Sequence, residues 1–446
     1  MCISSTFKAG RSFAVLAAVC SGLVAGVASV PAAGQYTVPT AVPTAPPAPK
    51  RGAAVPQEDL SARDASVLRR PRADPPDGLP VGSFVFFPRI EVDGEYDDNV
   101  FRTRHGRDDA FIFRVRPSFT LSSDWGQHGL DLYATGEIGR YFDLSRANYE
   151  AFTVGARGRV DLTDELLWNT YAEFSRNALS FGAPGLLTTT TNGRRQIVNV
   201  ITAGTDLVYN GDPFYGRIGP RFRRFDYVSG VTSNENFNVY DISARLGYRL
   251  TPEFSVFIDP SYEWVRYDRN SGPFNRDNQG FDVRLGVSYD VTRTITAEAG
   301  VGYLRRTYSG NGGKPQDGLS FLGRLFWNPL DNVSIEAEAR RSFSQYRTFS
   351  STSAAIGNAI ETTFSLRAGW EPFDPLLLDA GVAYSRYRYR GQGLREDYWF
   401  FDVGAKYFFN KNFYAGPRYF FERRNAKPTS VSYTDNRFLI TLGAQF

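Results

Sequence analysis

The stretch Arg437-Phe438-Leu439-Ile440-Thr441-Leu442-Gly443-Ala444-Gln445-Phe446 closes the chain and decides its fold. Phe438, Ile440, Leu442, Ala444 and Phe446 fall on one face of an extended segment. Arg437, Thr441, Gly443 and Gln445 fall on the other. A repeat of two residues is the signature of a strand with one apolar and one polar side. The same pattern recurs upstream: Phe281, Val283, Leu285, Val287 and Tyr289 alternate with Asp282, Arg284, Ser288 and Asp290. Tyr240 to Tyr248 and Ile360 to Trp370 repeat it.

From Ser83 onward about 18 such segments follow one another, each of roughly ten residues, the length of a tilted membrane strand. They begin near Phe84, Phe111, Leu130, Tyr149, Leu166, Ile197, Phe214, Val239, Phe254, Phe281, Ile295, Leu319, Val333, Ile360, Leu376, Tyr398, Phe413 and Phe438. Short turns, such as Thr163-Asp164, Thr251-Pro252 and Asn410-Lys411-Asn412, alternate with long polar loops at 98–109, 177–195, 229–238, 269–280, 309–318, 345–358 and 425–436. Short turns on one side and long loops on the other predict an all-β, transmembrane, antiparallel up-and-down barrel in a bacterial outer membrane. An even strand number puts both termini in the periplasm. Tyr209, Tyr248, Tyr289, Trp327, Trp370 and Tyr407 stand just before successive short turns on the apolar face, as an aromatic girdle would. A soluble propeller is the rival all-β fold, but its blades need four short strands where each unit here holds two long ones.

The N-terminal part reads differently. Residues 1–33 form a signal peptide, with Lys8 and Arg11 ahead of an apolar run from Phe13 to Val30. Acylation at Cys20 is the weaker reading of that leader. Residues 34–82 are rich in Pro and Ala, lack any apolar period and predict a disordered periplasmic linker. Residues 83–446 are the barrel domain.

Composition removes other classes. Cys2 and Cys20 are the only cysteines and both lie in the leader, so disulfide scaffolds and thiol chemistry find no support beyond it. The net charge is +4, with Lys8 and Arg11 contributing to it, so nucleic acid is not an expected partner. His105 and His128 are the only histidines, and no Ser, His and Asp set suggests an enzyme. No metal site or cofactor is expected. Asp97, Asp98 and Asn99 could bind Ca²⁺ but read better as the end of the first strand. Lys8, Lys50, Lys314, Lys406, Lys411 and Lys427 are the only lysines among 51 basic residues. Arginine's rigid fork of donors suits charges that face one another in a confined space.

If the apolar face meets lipid, the polar face lines a lumen wide enough for water. Its expected lining includes Glu95, Arg114, Arg116, Arg221, Asp241, Arg245, Asp259, Glu263, Asp282, Arg284, Glu298, Arg324, Glu338, Arg340, Glu361 and Arg367. Facing charges of both signs either set a transverse field that sorts solutes or pair across strands and stiffen the wall. Inward Tyr133, Tyr141, Tyr171 and Tyr267 are candidate sugar platforms. The loop at 177–195, with Gly182, Ala183 and Gly185, is the best candidate to fold inward.

The opening hairpin, Glu95-Tyr96-Asp97-Asp98-Asn99-Val100-Phe101 followed by Phe113 to Phe119, Ser123-Asp124-Trp125 and His128, resembles the second family of β-barrel porins of Gram-negative bacteria. Phe438 and the terminal Phe446 resemble the assembly signal of outer-membrane barrels. The resemblance implies an outer-membrane location, lipid and lipopolysaccharide surroundings, handling by the barrel-assembly machinery, and a pore for small hydrophilic solutes. Relatives in exopolysaccharide export make a polysaccharide role the alternative, and a structural barrel with a closed lumen is the second. The resemblance fixes no catalytic residue.

Overall fold

The computed structural model describes residues 76–183, 193–228, 236–269, 276–292, 294–309, 315–345, 358–389, 395–427 and 429–446. The expected leader, most of the expected 34–82 linker and parts of several long loops lie outside the described residues.

Nineteen strands form one antiparallel sheet. They are β1 (Leu79–Val81), β2 (Phe84–Asp97), β3 (Ala110–Ser123), β4 (Gly129–Tyr141), β5 (Tyr149–Asp161), β6 (Leu166–Ala178), β7 (Ile197–Tyr209), β8 (Phe214–Tyr227), β9 (Phe237–Arg249), β10 (Phe254–Tyr267), β11 (Asn278–Thr292), β12 (Ile295–Tyr308), β13 (Gln316–Leu330), β14 (Val333–Gln345), β15 (Asn358–Phe373), β16 (Leu376–Tyr389), β17 (Arg395–Phe408), β18 (Phe413–Lys427) and β19 (Tyr433–Gln445). From β2 to β19 each strand pairs with its neighbours in sequence, and β19 closes on β2 from Arg437↔Asp97 to Gln445↔Arg89. The result is a closed 18-stranded barrel with no helix long and apolar enough to cross a membrane among the described residues.

The short β1 completes the seam. It pairs with β2 at Leu79↔Phe86 and Val81↔Phe84, on the edge of β2 that β19 no longer covers. The Phe446 N–H donates to Pro88 O at 3.0 Å at the point where the two meet. The paired residues therefore start before Ser83.

Following cross-strand partners once round the barrel returns to β2 displaced by about 22 residues, a stagger that tilts the strands roughly 40° from the axis. With that stagger spread over the strands, Tyr209, Tyr248, Tyr289, Trp327, Trp370 and Tyr407 fall at one height on the outer face, within about two residues.

Strands β2 to β19 run longer than the alternation predicts, from 13 residues in β19 to 16 in β15. The added residues lie mainly at the ends facing the long loops. β19 begins at Tyr433, five residues before the first lipid-type residue Phe438. There the outer face carries Thr434 and Asn436, so the apolar period fades while the ladder of backbone hydrogen bonds continues. Pairing, not polarity, sets the strand end.

Burial is inverted relative to a water-soluble protein. Leu246, Leu285 and Ile440 are each 63% exposed, while Glu95 and Asp93 are fully buried and Arg114 is 2% exposed. Greasy side chains point out of the closed sheet and charges point in.

Candidate functional site

The interior of the barrel is a wall of arginine–carboxylate pairs set by the two-residue period. On β2 the odd positions 89 to 97 face inward, and on β3 the even positions 110 to 116 do. Arg114 Nη2 donates to Glu95 Oε1 at 2.8 Å, and Arg116 Nη2 lies 2.7 Å from Asp93 and 3.1 Å from Glu91. A second cluster covers β8 to β12. Arg221 pairs with Asp241 at 3.0 Å, and Arg223 bridges Asp241 at 3.3 Å and Glu263 at 3.0 Å. Arg306 also holds Glu263. Arg245 forks between two acids, donating to Asp259 at 2.6 and 2.7 Å and to Glu298 at 2.9 and 3.0 Å. Its plane stacks on Phe257 at 4.0 Å.

The remaining expected positions share this face with looser contacts. Arg284 is 3.8 Å from Asp282, and Arg324 is 3.6 Å from Glu338. Glu361 accepts a bond from Tyr387 Oη at 2.8 Å. Arg367 reaches Asp402 at 3.2 Å. Arg340 is inward on β14 opposite Thr363, and its Nε finds no hydrogen bond.

Sequence reasoning stopped short on β16 to β19, where the same period places Asp379, Asp402, Arg418, Glu422 and Arg424 inward. Arg418 holds both Asp379 and Asp402, and Arg424 lies 2.6 Å from Glu396. Carrying the alternation through β16, β17 and β18 would have found them.

Part of the long-loop end of the lumen is apolar, which the alternation did not predict. Val100, Phe101, Ile112, Tyr141, Tyr149 and Phe181 form a buried cluster there. Leu179 to Ala183, directly after β6, lie inside the barrel. The Gly182 carbonyl accepts bonds from Tyr398 Oη at 3.0 Å and Tyr433 Oη at 3.2 Å, on the far wall formed by β17 and β19. Phe181 meets Phe101 edge-on at 5.0 Å. Arg195, where the loop returns to β7, stacks on Tyr149 at 4.1 Å and on Phe181 at 5.5 Å. The loop expected to turn inward thus spans the lumen in its described part, while Gly185 lies outside the described residues.

The candidate sugar platforms are engaged in packing. Tyr133 donates to Glu173 at 2.7 Å beneath Arg157. Tyr141 lies against Arg195, and Tyr267 between Phe237 and Arg276. Tyr171 is inward on β6 and partly buried.

Asp97 ends β2, and Asn99 begins the first loop with its N–H on Asp97 Oδ1 at 2.9 Å. Asp97, Asp98 and Asp435 gather closely enough to suggest a cation site. A cation of the chain's own already sits there: Arg102 binds Asp97 at 2.9 Å and Asp435 at 3.0 Å. Asp98 accepts both the N–H and the side-chain amide of Asn436, at 2.8 and 2.7 Å. Replacing Arg102 by alanine should leave two buried carboxylates face to face and destabilise the barrel by about 3 kcal/mol. Millimolar Ca²⁺ should restore thermal stability to that variant and leave the parent unmoved, as melting curves in detergent would show. His128 turns the β3–β4 hairpin, its Nδ1 accepting from Asp161 N at 3.1 Å.

The sequence profile of the family described as Putative beta-barrel porin 2 matches residues 72–446, most of the chain. The chain belongs to this family. The barrel is an outer-membrane porin-like channel in fold and family. Among solved structures it is similar to OpdL of Pseudomonas aeruginosa, with 14% identity, 82% of this chain and 100% of that chain covered, and a TM-score of 0.42. OccAB4 of Acinetobacter baumannii gives 14% identity, coverage of 81% and 98%, and a TM-score of 0.42. The ferric enterobactin receptor PfeA of Pseudomonas aeruginosa gives 9% identity, coverage of 81% and 81%, and a TM-score of 0.45. No curated protein matches the chain.

Proposed function

We propose that this porin-family barrel passes small hydrophilic solutes passively, with weak discrimination by charge, and that both termini lie in the periplasm. The pairing of the lumen wall carries this reading. Each close arginine–carboxylate contact cancels locally, so the field across the lumen is short-ranged. The sixteen expected lining residues, from Glu95 to Arg367, then serve as a wetted, stiff wall more than as a charge filter. The inserted segment at Phe181–Gly182 narrows the outer mouth and limits solute size.

The polysaccharide alternative draws less support, because Tyr133, Tyr141 and Tyr267 are already covered by arginine or aromatic neighbours. Planar-bilayer recording of the purified full chain separates the cases. Discrete conductance steps with a cation-to-anion permeability ratio near one are expected. An electrically silent, correctly folded barrel would leave the structural role.

The six aromatics at the short-turn ends act as anchors at the inner membrane interface in this reading. Phe438 and Phe446 present the C-terminal strand to the assembly machinery. Phe446 packs edge-on against Phe413 at 6.0 Å, a modest contribution to the finished barrel. Removing Phe446 should therefore cut the yield of heat-modifiable barrel in the outer membrane severalfold. The protein that does fold should melt close to the parent.

A further inference from the structure

The outer face carries one sector whose charges are not balanced by the chain. Arg388 on β16 stands directly opposite Arg395 on β17, and Arg395 directly opposite Lys427 on β18. Three cations thus occupy one cross-strand row, an arrangement that costs stability when nothing lies between them. Arg341 on β14 adds a fourth, in the row of Thr362 and Arg386, one outward position from Arg388. Arg423 on β18 lies in the row of Trp399, slightly nearer the membrane. The one acid among them, Asp397, is shared by Arg386 at 2.7 Å and Arg395 at 3.0 Å.

Elsewhere on the same rim, several outward cations have acidic partners. Arg140 pairs with Glu150, Arg224 with Asp268, and Arg107 lies 3.8 Å from Asp98. No ion pair is recorded for Arg341, Arg388, Arg423 or Lys427 among the described residues. The connections flanking this sector, 310–314, 346–357 and 390–394, contain Lys314, Arg347 and Arg390 and no Asp or Glu. Among the described residues Asp397 is the only acid the sector offers, and it is already held by Arg386 and Arg395.

Just below the cations is an apolar shelf. Tyr384 and Trp399 pack at 4.7 Å, and Phe364, 47% exposed, continues the row across β15. This shelf belongs to the aromatic row at the long-loop end of the barrel, where acyl chains give way to headgroups.

We propose that the outward face of β14 to β18 is a binding site for a phosphorylated outer-leaflet glycolipid. Its phosphates would sit among Arg341, Arg388, Arg395 and Lys427, with its acyl chains on the Tyr384–Trp399 shelf. Arginine and lysine near a membrane surface attract anionic headgroups, and a phosphate between Arg388 and Arg395 turns a repulsive row into an attractive one. The proposal rests on the outer-membrane reading of the barrel, but its readout is lipid retention and not conductance.

The test uses the purified full chain in detergent with lipid A, lipid A stripped of both phosphates, or inorganic pyrophosphate, read by native mass spectrometry. Retained lipid A is expected to fall roughly fivefold for each cation removed in the series Arg341→Gln, Arg388→Gln and Lys427→Gln. Arg140→Gln, in the paired sector, should change nothing. A second variant guards against misfolding: Arg388→Glu should melt higher than the parent in lipid-free detergent, because it pairs with Arg395, and should lose the thermal gain from lipid A. Equal retention of the dephosphorylated lipid, or of lipid A by the parent and the series, overturns the site. Pyrophosphate displacing lipid A at equal concentration would show a soluble anion as the occupant and also overturn it. A barrel that conducts nothing yet retains lipid A would sink the channel and leave this site standing.

Discussion

Replacing Gly182 by valine is expected to raise single-channel conductance at least severalfold. The position has no room for a side chain: a Cβ there would fall 2.0 Å from Tyr433 Oη and 2.5 Å from its ring. Glycine is what lets the carbonyl approach both tyrosines. Valine must either push Tyr433 from Glu422, which shares its one hydroxyl hydrogen with Gly182, or lift the loop from the far wall. The first leaves a buried carboxylate short of a donor, so the loop is the part that gives. Losing the two tyrosine bonds to Gly182 frees the segment that spans the outer lumen. The double variant Tyr398→Phe with Tyr433→Phe removes the bonds to Gly182 without steric clash, together with those to Glu396 and Glu422, and should move conductance the same way by a smaller amount. Because Leu179 to Ala183 are not part of the ladder, melting of the barrel should change little in the valine variant, while the double variant should melt lower because Glu396 and Glu422 each lose a donor. Unchanged steps in bilayer recordings would mean that the narrowing lies elsewhere.

The architecture was legible because the membrane imposes a strict rule on each strand. Leu285 and Asp282 cannot exchange faces without placing a charge in lipid, so the period of two survives along β11 and marks it clearly. The rule weakens where lipid ends. Tyr433 to Arg437 carry both polar and aromatic side chains, and no alternation signals that β19 has already begun. It fails also inside the outer mouth, where Ile112, Tyr141 and Tyr149 face inward because a loop covers them. A contact such as Gly182 with Tyr398 and Tyr433 joins residues more than 200 positions apart and leaves no local pattern in the chain. Charge pairing sits between these cases. The inward phase of Arg245 follows from the strand it stands on, but its choice of Asp259 and Glu298 depends on the register of β9, β10, β11 and β12 together.

That shared register makes Arg245→Met the most damaging single change in the wall. Arg245 makes four hydrogen bonds to two carboxylates, and all three residues are at least nine-tenths buried. Methionine can keep the contact with Phe257 but offers no donor. Asp259 and Glu298 are then left as neighbouring anions, and breaking a buried pair in this way costs about 3–5 kcal/mol. Electrophoretic heat modification in detergent should show the variant converting to the unfolded band at a clearly lower temperature. Its permeability ratio should shift toward cations, since the wall loses one positive charge while both carboxylates still face the lumen. The triple variant Arg245→Met, Asp259→Asn, Glu298→Gln separates the causes. It should recover most of the lost stability, because replacing a whole buried ion group by neutral residues of like shape costs far less than orphaning part of it. It should also return the permeability ratio toward one. A triple variant as unstable as the single one would show that Arg245 holds the wall by packing, and would remove charge pairing as the reason the lumen is rich in arginine.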